Sequence, residues 1–133
     1  MTAANDANAL VEAAREARAR AYAPYSHFRV GAAVETAGGV FSGANVENAS
    51  YGLSICAERI AVALAAIAGQ RAPSRIAIVS ASSPPAAPCG ACVQTLLEFV
   101  EDLEVILAND AGERRVLRLR EIAPHGFRPS DLG

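Results

Sequence analysis

Three cysteines constrain what this chain can fold into more than any other feature of its sequence. They are the only cysteines among 133 residues, and they lie in two short stretches, Cys56-Ala57-Glu58-Arg59 and Pro88-Cys89-Gly90-Ala91-Cys92. An apolar run typical of a helix follows each stretch. Because residues three apart lie on one face of a helix, Cys89 and Cys92 can bind the same metal ion. With Cys56 as a third ligand, the set matches a catalytic zinc site, which keeps one position open for water.

The bulk composition is typical of a globular protein. Hydrophobic residues make up 52% of the chain and charged residues 20%, which is far from a disordered composition. An odd number of cysteines argues against a disulfide framework and for metal binding or catalysis. Residues 1–8 lack the basic and then apolar order of a signal peptide, and the chain has no apolar window long enough to span a membrane. We therefore expect a cytoplasmic protein that forms one domain over residues 1–133.

The charge balance argues against a nucleic acid polymer as partner. The formal net charge is -2, whereas nucleic-acid-binding domains usually carry a basic patch. A cluster of arginines near the C-terminus is more typical of the charged face of an edge strand. The cluster consists of Arg114, Arg115, Arg118 and Arg120. We expect a small-molecule substrate, with no membrane and no nucleic acid polymer as partner.

The hydrophobic periodicity predicts an α/β fold in which strands and helices alternate after an initial hairpin. The predicted helices cover residues 6–20, 55–68 and 89–100. The predicted strands cover residues 28–36, 40–46, 74–81, 103–108 and 114–119. Residues 121–133 contain two prolines and two glycines, which predicts an irregular tail.

Glu58 distinguishes a catalytic zinc site from a structural one. A carboxylate beside metal-bound water is the general base that metal-assisted hydrolysis needs, although a glutamate in a first helical turn can simply stabilise the helix dipole. Structural zinc sites usually have four protein ligands, so either His27 or His125 could complete a Cys₃His site instead. Arg59 could reduce the negative charge of three thiolates by donating to the sulfur of Cys56.

Taken together, these motifs resemble the small, homotetrameric, zinc-dependent cytidine deaminases. Zinc deaminases combine a Cys₃ or His/Cys/Cys site with a glutamate that is not a ligand. The resemblance covers most of the chain, from Tyr22 to Leu132. It rests on Ala23-Pro24-Tyr25-Ser26-x-Phe28-x-Val30-Gly31-Ala32-Ala33, Asn45-Val46-Glu47-Asn48-Ala49-Ser50-Tyr51-Gly52, Cys56-Ala57-Glu58-Arg59, Pro88-Cys89-Gly90-Ala91-Cys92-x-Gln94 and Pro124-His125-Gly126-Phe127.

The resemblance implies a three-layer α/β/α sandwich around a five-stranded mixed sheet. It also implies that cytidine and deoxycytidine are hydrolysed to uridine and deoxyuridine plus ammonia. In this family pattern, Cys56, Cys89 and Cys92 bind one zinc ion per chain. Zinc-bound hydroxide attacks C4 of the base, and Glu58 shuttles the protons. Arg59 and Gln94 would support the metal ligands.

The same resemblance implies a set of substrate contacts. They are Phe28, Asn45, Glu47, Ala57, Tyr51 and Phe127. Phe28 would contact the nucleoside, while Asn45 and Glu47 would hold the ribose 3′-hydroxyl from one face of a strand, since they are two residues apart. Tyr51 and Phe127 look like residues that reach the active site of a neighbouring subunit, which implies a homotetramer with shared active sites.

Val93 departs from the family pattern, in which an arginine usually follows the last cysteine. This departure leaves open a deaminase that acts on another free aminopyrimidine or aminopurine, such as blasticidin S. The stretch Asn45-Val46-Glu47-Asn48 favours a nucleoside instead. A zinc-stabilised binding module without turnover is a further alternative, whereas a polynucleotide deaminase fits the short, acidic chain less well.

Overall fold

A computed structural model describes the backbone of residues 3–133 and the side chains of residues 7–133. This part of the chain contains four α-helices and five β-strands. The helices are α1 (Ala3–Arg18), α2 (Ala57–Ile67), α3 (Gly90–Phe99) and α4 (Leu119–Ile122). The strands are β1 (Gly31–Thr36), β2 (Gly39–Ala44), β3 (Arg75–Ser80), β4 (Glu104–Asn109) and β5 (Arg114–Arg118). Short 3₁₀ helices cover Tyr51–Leu53 and Pro129–Leu132.

The predicted order of strands and helices is confirmed, although several ends differ by a few residues. The largest difference in a strand is at β1, which begins at Gly31 rather than at residue 28. The amide N–H of Val30 donates to the side chain of Asn45 instead of to a neighbouring strand, so the ladder starts later. The prediction of an irregular tail over residues 121–133 was wrong in part, because the last residues of α4 and the 3₁₀ helix Pro129–Leu132 lie there.

The five strands form one mixed sheet with the order β2-β1-β3-β4-β5. Only β3 and β4 are parallel among the strands that the structure describes, and α3 connects them. The other neighbouring pairs are antiparallel. In such sheets, ligands bind beyond the carboxyl ends of the parallel strands. Here that edge is marked by the pair Ser80 and Asn109.

Helices cover both faces of the sheet, which confirms the three-layer α/β/α sandwich. Successive side chains of a strand point to opposite faces, and the two faces belong to two separate cores. On β3, Ile76 and Ile78 pack in the core below α2 and α3. Ala77 and Val79 pack in the core below α1. Within the described residues, no helix has the length and apolar character to cross a membrane.

Candidate metal centre and substrate cavity

The three cysteine sulfurs converge at the N-termini of two helices. Cys56 and Cys89 are the N-cap residues of α2 and α3, and Cys92 lies in the first turn of α3. The Sγ atoms of Cys56 and Cys89 are 3.8 Å apart, and those of Cys89 and Cys92 are 3.4 Å apart. All three lie within 4.8 Å of one another. A tetrahedral zinc ion with bonds of about 2.3 Å needs sulfurs about 3.8 Å apart, so this donor set fits zinc.

The structure does not bring a histidine to this centre. His27 and His125 are both exposed. Among the side chains of residues 7–133, the metal-ligating groups that cluster are the three cysteines alone. The arrangement therefore disfavours a closed Cys₃His site and matches three protein ligands with one further position for a non-protein ligand.

The protein environment affects the three thiols differently. Burial raises the pKa of Cys56 and of Cys92, and the negative charge of Glu58 raises that of Cys92 further. Burial also acts to raise the pKa of Cys89, but hydrogen bonds from the amides of Cys92 and Ala91 and from the neighbouring thiols outweigh it. The net pKa of Cys89 is lowered, as expected for a thiol at a helix N-terminus.

Arg59 is the cation closest in sequence to the thiols, and it lies against one of them. Its Nη2 donates to the carbonyl oxygen of Ser54 at 3.1 Å and is 4.0 Å from the Sγ of Cys56. Val93 points elsewhere: it is 8% exposed and belongs to the core between α2, α3 and the sheet. Arg59 and the N-termini of α2 and α3 are thus the groups that offset the charge of three thiolates.

Glu58 is buried beside the metal centre. Its exposed fraction is 6%, and it lines the same cavity as Cys56 and Cys89. Burial raises the pKa of its carboxyl group, and the effects of Arg59 and of hydrogen bonding, which lower it, are smaller. A carboxyl group with a raised pKa holds a proton more readily than an exposed one, which suits a group that must take up and release protons.

The cavity in front of the thiols has a volume of about 190 Å³. Its walls come from the N-terminus of α2, the end of β3, the segment before α3 and the segments that flank the β1–β2 hairpin. Apolar side chains dominate these walls, with a few polar groups among them, as is typical of small-molecule sites. Phe28, Asn45 and Ala57 line it, as does Ser80. Ser80 was not predicted from the sequence, although its place at the carboxyl end of a central strand is a signal for a ligand site.

Asn45 and Glu47 do not share a strand face, contrary to the sequence prediction. β2 ends at Ala44, so both residues lie beyond it. Asn45 lines the cavity in front of the thiols, whereas Glu47 lines a second cavity together with Tyr25 and Tyr51. Hydrogen bonds from Ser26 and from the backbone of Tyr25, together with the charge of His27, hold the pKa of Glu47 below its usual value against the opposing effect of burial.

The remaining predicted residues lie on the surface of the chain. Tyr51 is 72% exposed, and its ring meets that of Tyr25 edge-on, with 5.8 Å between the centroids. Phe127 is 54% exposed, and its carbonyl oxygen accepts a hydrogen bond of 2.8 Å from Nε2 of Gln94. The side chain of Gln94 therefore binds the backbone of the C-terminal segment and does not donate to a cysteine sulfur, as a residue that supports the metal ligands would. Within the described chain, none of these side chains lines the cavity in front of the thiols.

Comparison with known proteins gives a consistent result. The family model for the cytidine and deoxycytidylate deaminase zinc-binding region matches residues 4–108. A cytidine deaminase of Halalkalibacterium halodurans is 43% identical over 129 residues, which is 96% of this chain and 98% of that protein. The crystal structure of a cytidine deaminase from Burkholderia pseudomallei is 50% identical, covers 96% of this chain and 100% of that one, and superposes with a TM-score of 0.87.

A cytidine deaminase of Mycobacterium tuberculosis also has the same fold. Its crystal structure is 38% identical, covers 92% of this chain and 97% of that one, and gives a TM-score of 0.76. The family match includes the zinc-binding region, and Cys56, Cys89 and Cys92 are the group positioned to bind the metal. The chain therefore belongs to the family of zinc-dependent cytidine and deoxycytidylate deaminases.

Proposed function

We propose that this protein hydrolyses cytidine and deoxycytidine to uridine and deoxyuridine with release of ammonia, a reaction of pyrimidine salvage. The observation that carries this proposal is the buried carboxyl group of Glu58, which lines one cavity with the thiols of Cys56 and Cys89. Two relatives that are 43% and 50% identical are cytidine deaminases, which supports the same substrate.

Cys56, Cys89 and Cys92 would hold one zinc ion per chain. When bound, zinc supplies Lewis-acid activation of water near neutral pH. The N-termini of α2 and α3 and the guanidinium of Arg59 lie on the thiolate side of the cavity. Their positive charge stabilises the ionised thiols, which are the form that binds metal.

Glu58 would act as the proton carrier. Its carboxylate takes a proton from the attacking water and donates it to N3 of the pyrimidine ring. It then transfers a second proton from the added hydroxyl group to the 4-amino group, which leaves as ammonia. The raised pKa of Glu58 suits this role, because a carboxyl group that changes protonation state easily can serve as both base and acid.

The charge of the site favours a free nucleoside over a nucleotide. The second cavity is lined by Glu47, which is held ionised by hydrogen bonds, and by Tyr25, Ser26, Tyr51 and Ser54. No arginine is among the described side chains that line this cavity. A carboxylate can accept a hydrogen bond from a ribose hydroxyl but repels a phosphate group. Asn45, Ala57 and the ring of Phe28 would contact the base and ribose from the first cavity.

We also propose that residues 1–133 form one cytoplasmic domain that assembles into a homotetramer with shared active sites. The outward face of α2 supports this, because Leu64 is 42% exposed and Ile67 82% exposed. These two residues are three apart and so lie on one face of the helix, and exposed apolar side chains grouped on one face are typical of protein interfaces. Tyr51 and Phe127 would then contact substrate in a neighbouring subunit. Sedimentation velocity should give a tetramer, and a monomer that turns over substrate at full rate would contradict the assembly.

The direct test is the ultraviolet absorbance change of cytidine on mixing with zinc-loaded protein, with adenosine and blasticidin S as parallel substrates. Rapid loss of the cytidine signal alone is the expected result. Turnover of blasticidin S or adenosine without cytidine would assign the site to another amine. Protein that carries one zinc per chain and turns over none of the three would instead support a binding module.

A further inference from the structure

The loop that carries Phe28 is held by two polar side chains from the segment after β2. Oδ1 of Asn45 accepts from the N–H of Val30, and its Nδ2 donates to the carbonyl oxygen of Phe28, both at 2.8 Å. Oε1 of Glu47 accepts from the N–H groups of Tyr25 and Ser26 at 3.0 and 3.1 Å. Much of the hydrogen-bonding capacity of Asn45 and Glu47 is therefore used within the chain, before any ligand binds.

Ser26 connects Glu47 to Phe28 directly. Its Oγ donates to Oε2 of Glu47 and accepts from the N–H of Phe28 at 3.0 Å. The single proton of the hydroxyl group and one of its lone pairs are both engaged. The backbone of Phe28 is thus held on its N–H side by Ser26 and on its carbonyl side by Asn45.

The residue between Ser26 and Phe28 has an unusual backbone conformation. His27 has a φ of 57°, in the left-handed region that residues with a Cβ atom rarely adopt. Its N–H donates to the carbonyl oxygen of Ala23 at 3.0 Å. Strained residues of this kind persist where surrounding contacts impose them, and they cluster at ligand sites. Here the imposing contacts are those of Ser26, Asn45 and Glu47.

We propose that Ser26 is a positioning residue. Its hydroxyl group links Glu47 to the backbone of Phe28, and we call this pair of hydrogen bonds the hydroxyl relay. The relay holds the loop that contains His27, so that Phe28 already lines the substrate cavity before substrate binds. This inference rests on the proposed function, in which Phe28 contacts the nucleoside. A preset wall removes the ordering cost that a mobile loop would add to binding. Loss of the relay should therefore weaken substrate binding and leave the chemical step almost unchanged.

The test compares Ser26→Thr with Ser26→Val, because these side chains have the same shape and differ in the hydroxyl group. We expect Ser26→Thr to keep the KM for cytidine within about twofold. Ser26→Val should raise it about tenfold with kcat within about twofold, because it removes both hydrogen bonds of the hydroxyl group. The dissociation constant of uridine, measured by calorimetry, should follow KM.

Ser74→Ala is the matched control. Ser74 also donates its hydroxyl proton to a glutamate, since its Oγ is 2.8 Å from Oε1 of Glu35. It lies just before the start of β3, however, whereas the substrate cavity is at the end of that strand. The Ser74→Ala variant should therefore leave KM and kcat unchanged. Equal KM values for Ser26→Thr and Ser26→Val, with active wild-type protein, would overturn this inference alone. Wild-type protein that neither binds nor deaminates cytidine would contradict the proposed function, and this inference with it.

Discussion

Gly31 at the start of β1 lies directly against the backbone carbonyl of Ala14 in α1. A Cβ atom at position 31 would overlap that carbonyl oxygen and would come within 2.6 Å of the backbone nitrogen of Arg18. Both neighbours are backbone atoms of a helix, so neither can rotate away. The distance between α1 and the sheet therefore depends on the absence of a side chain at this position.

We expect Gly31→Ala to destabilise the protein by about 2–3 kcal/mol, because overpacking against a rigid helix forces the backbone to shift. The free energy of unfolding in urea measures the effect. Gly52→Ala is the control, since a Cβ atom there would have no heavy atom within 4 Å. Equal stability of the two variants would show that α1 can move away from the sheet at little cost.

Glu58→Gln should keep zinc but reduce kcat by a factor of about 10³, within the usual range for loss of a general acid–base group. Glutamine has the same size and fits the same buried position, so the fold should persist. Zinc content by atomic absorption and kcat for cytidine would be measured together. Glu16→Gln, an exposed change on α1, should leave both unchanged. Near-normal turnover in Glu58→Gln would disprove the proton-carrier role.

The thiols should react with an alkylating reagent in a fixed order once zinc has been removed with a chelator. Cys89 is exposed and has a lowered pKa, whereas Cys92 is buried and has a raised pKa. Because the thiolate is the reactive form, Cys89 should react first and Cys92 last. Peptide mapping by mass spectrometry during reaction with iodoacetamide at pH 7.5 would give the order. Zinc-loaded protein should be protected at all three positions, and faster reaction of Cys92 would contradict the environment described above.

The Glu35–Arg75 pair should make stability depend on pH. Arg75 donates to both carboxylate oxygens of Glu35, at 3.0 and 2.6 Å. Its hydrogen bonds, helped by that of Ser74, hold the pKa of Glu35 below the usual 4.5, although burial opposes them. Because the folded-state pKa is lowered, the pair stabilises the protein fully above the unfolded-state value and loses this effect as the pH falls through the folded-state value.

Glu35→Gln should therefore reduce the free energy of unfolding by about 1 kcal/mol at pH 7, a modest value because both groups are partly exposed. The difference from wild type should shrink below pH 4.5. Denaturant titrations at pH 7 and at several values below pH 5 would measure it, with Glu16→Gln as reference. A difference that stays constant over this range would show that the carboxylate is not stabilised in the folded state.

The zinc ligands and the succession of strands and helices along the chain could be predicted from the sequence because their signals are local. Cys89 and Cys92 share one helical turn, which lets both bind one metal ion. Cys56 with Glu58 two residues later completes the zinc-deaminase pattern of three thiols and a glutamate that is not a ligand. The central strand β3 shows as a short, nearly continuous apolar run, because both of its faces are buried.

The polar contacts around the cavity were decided by the tertiary structure alone. The sequence predicted Asn45 and Glu47 as neighbours on one strand face, but each satisfies backbone groups of the loop that carries Phe28. Almost every residue has a backbone N–H and C=O group. The partner of a side chain that binds such a group can therefore be any residue type, and the sequence does not show which residue it is. The same holds for Gly31, whose neighbour is a backbone carbonyl of α1. The sequence by itself therefore determined the candidate metal ligands and the succession of strands and helices. The tertiary structure decided which cavity each polar side chain lines, because that depends on contacts between distant segments.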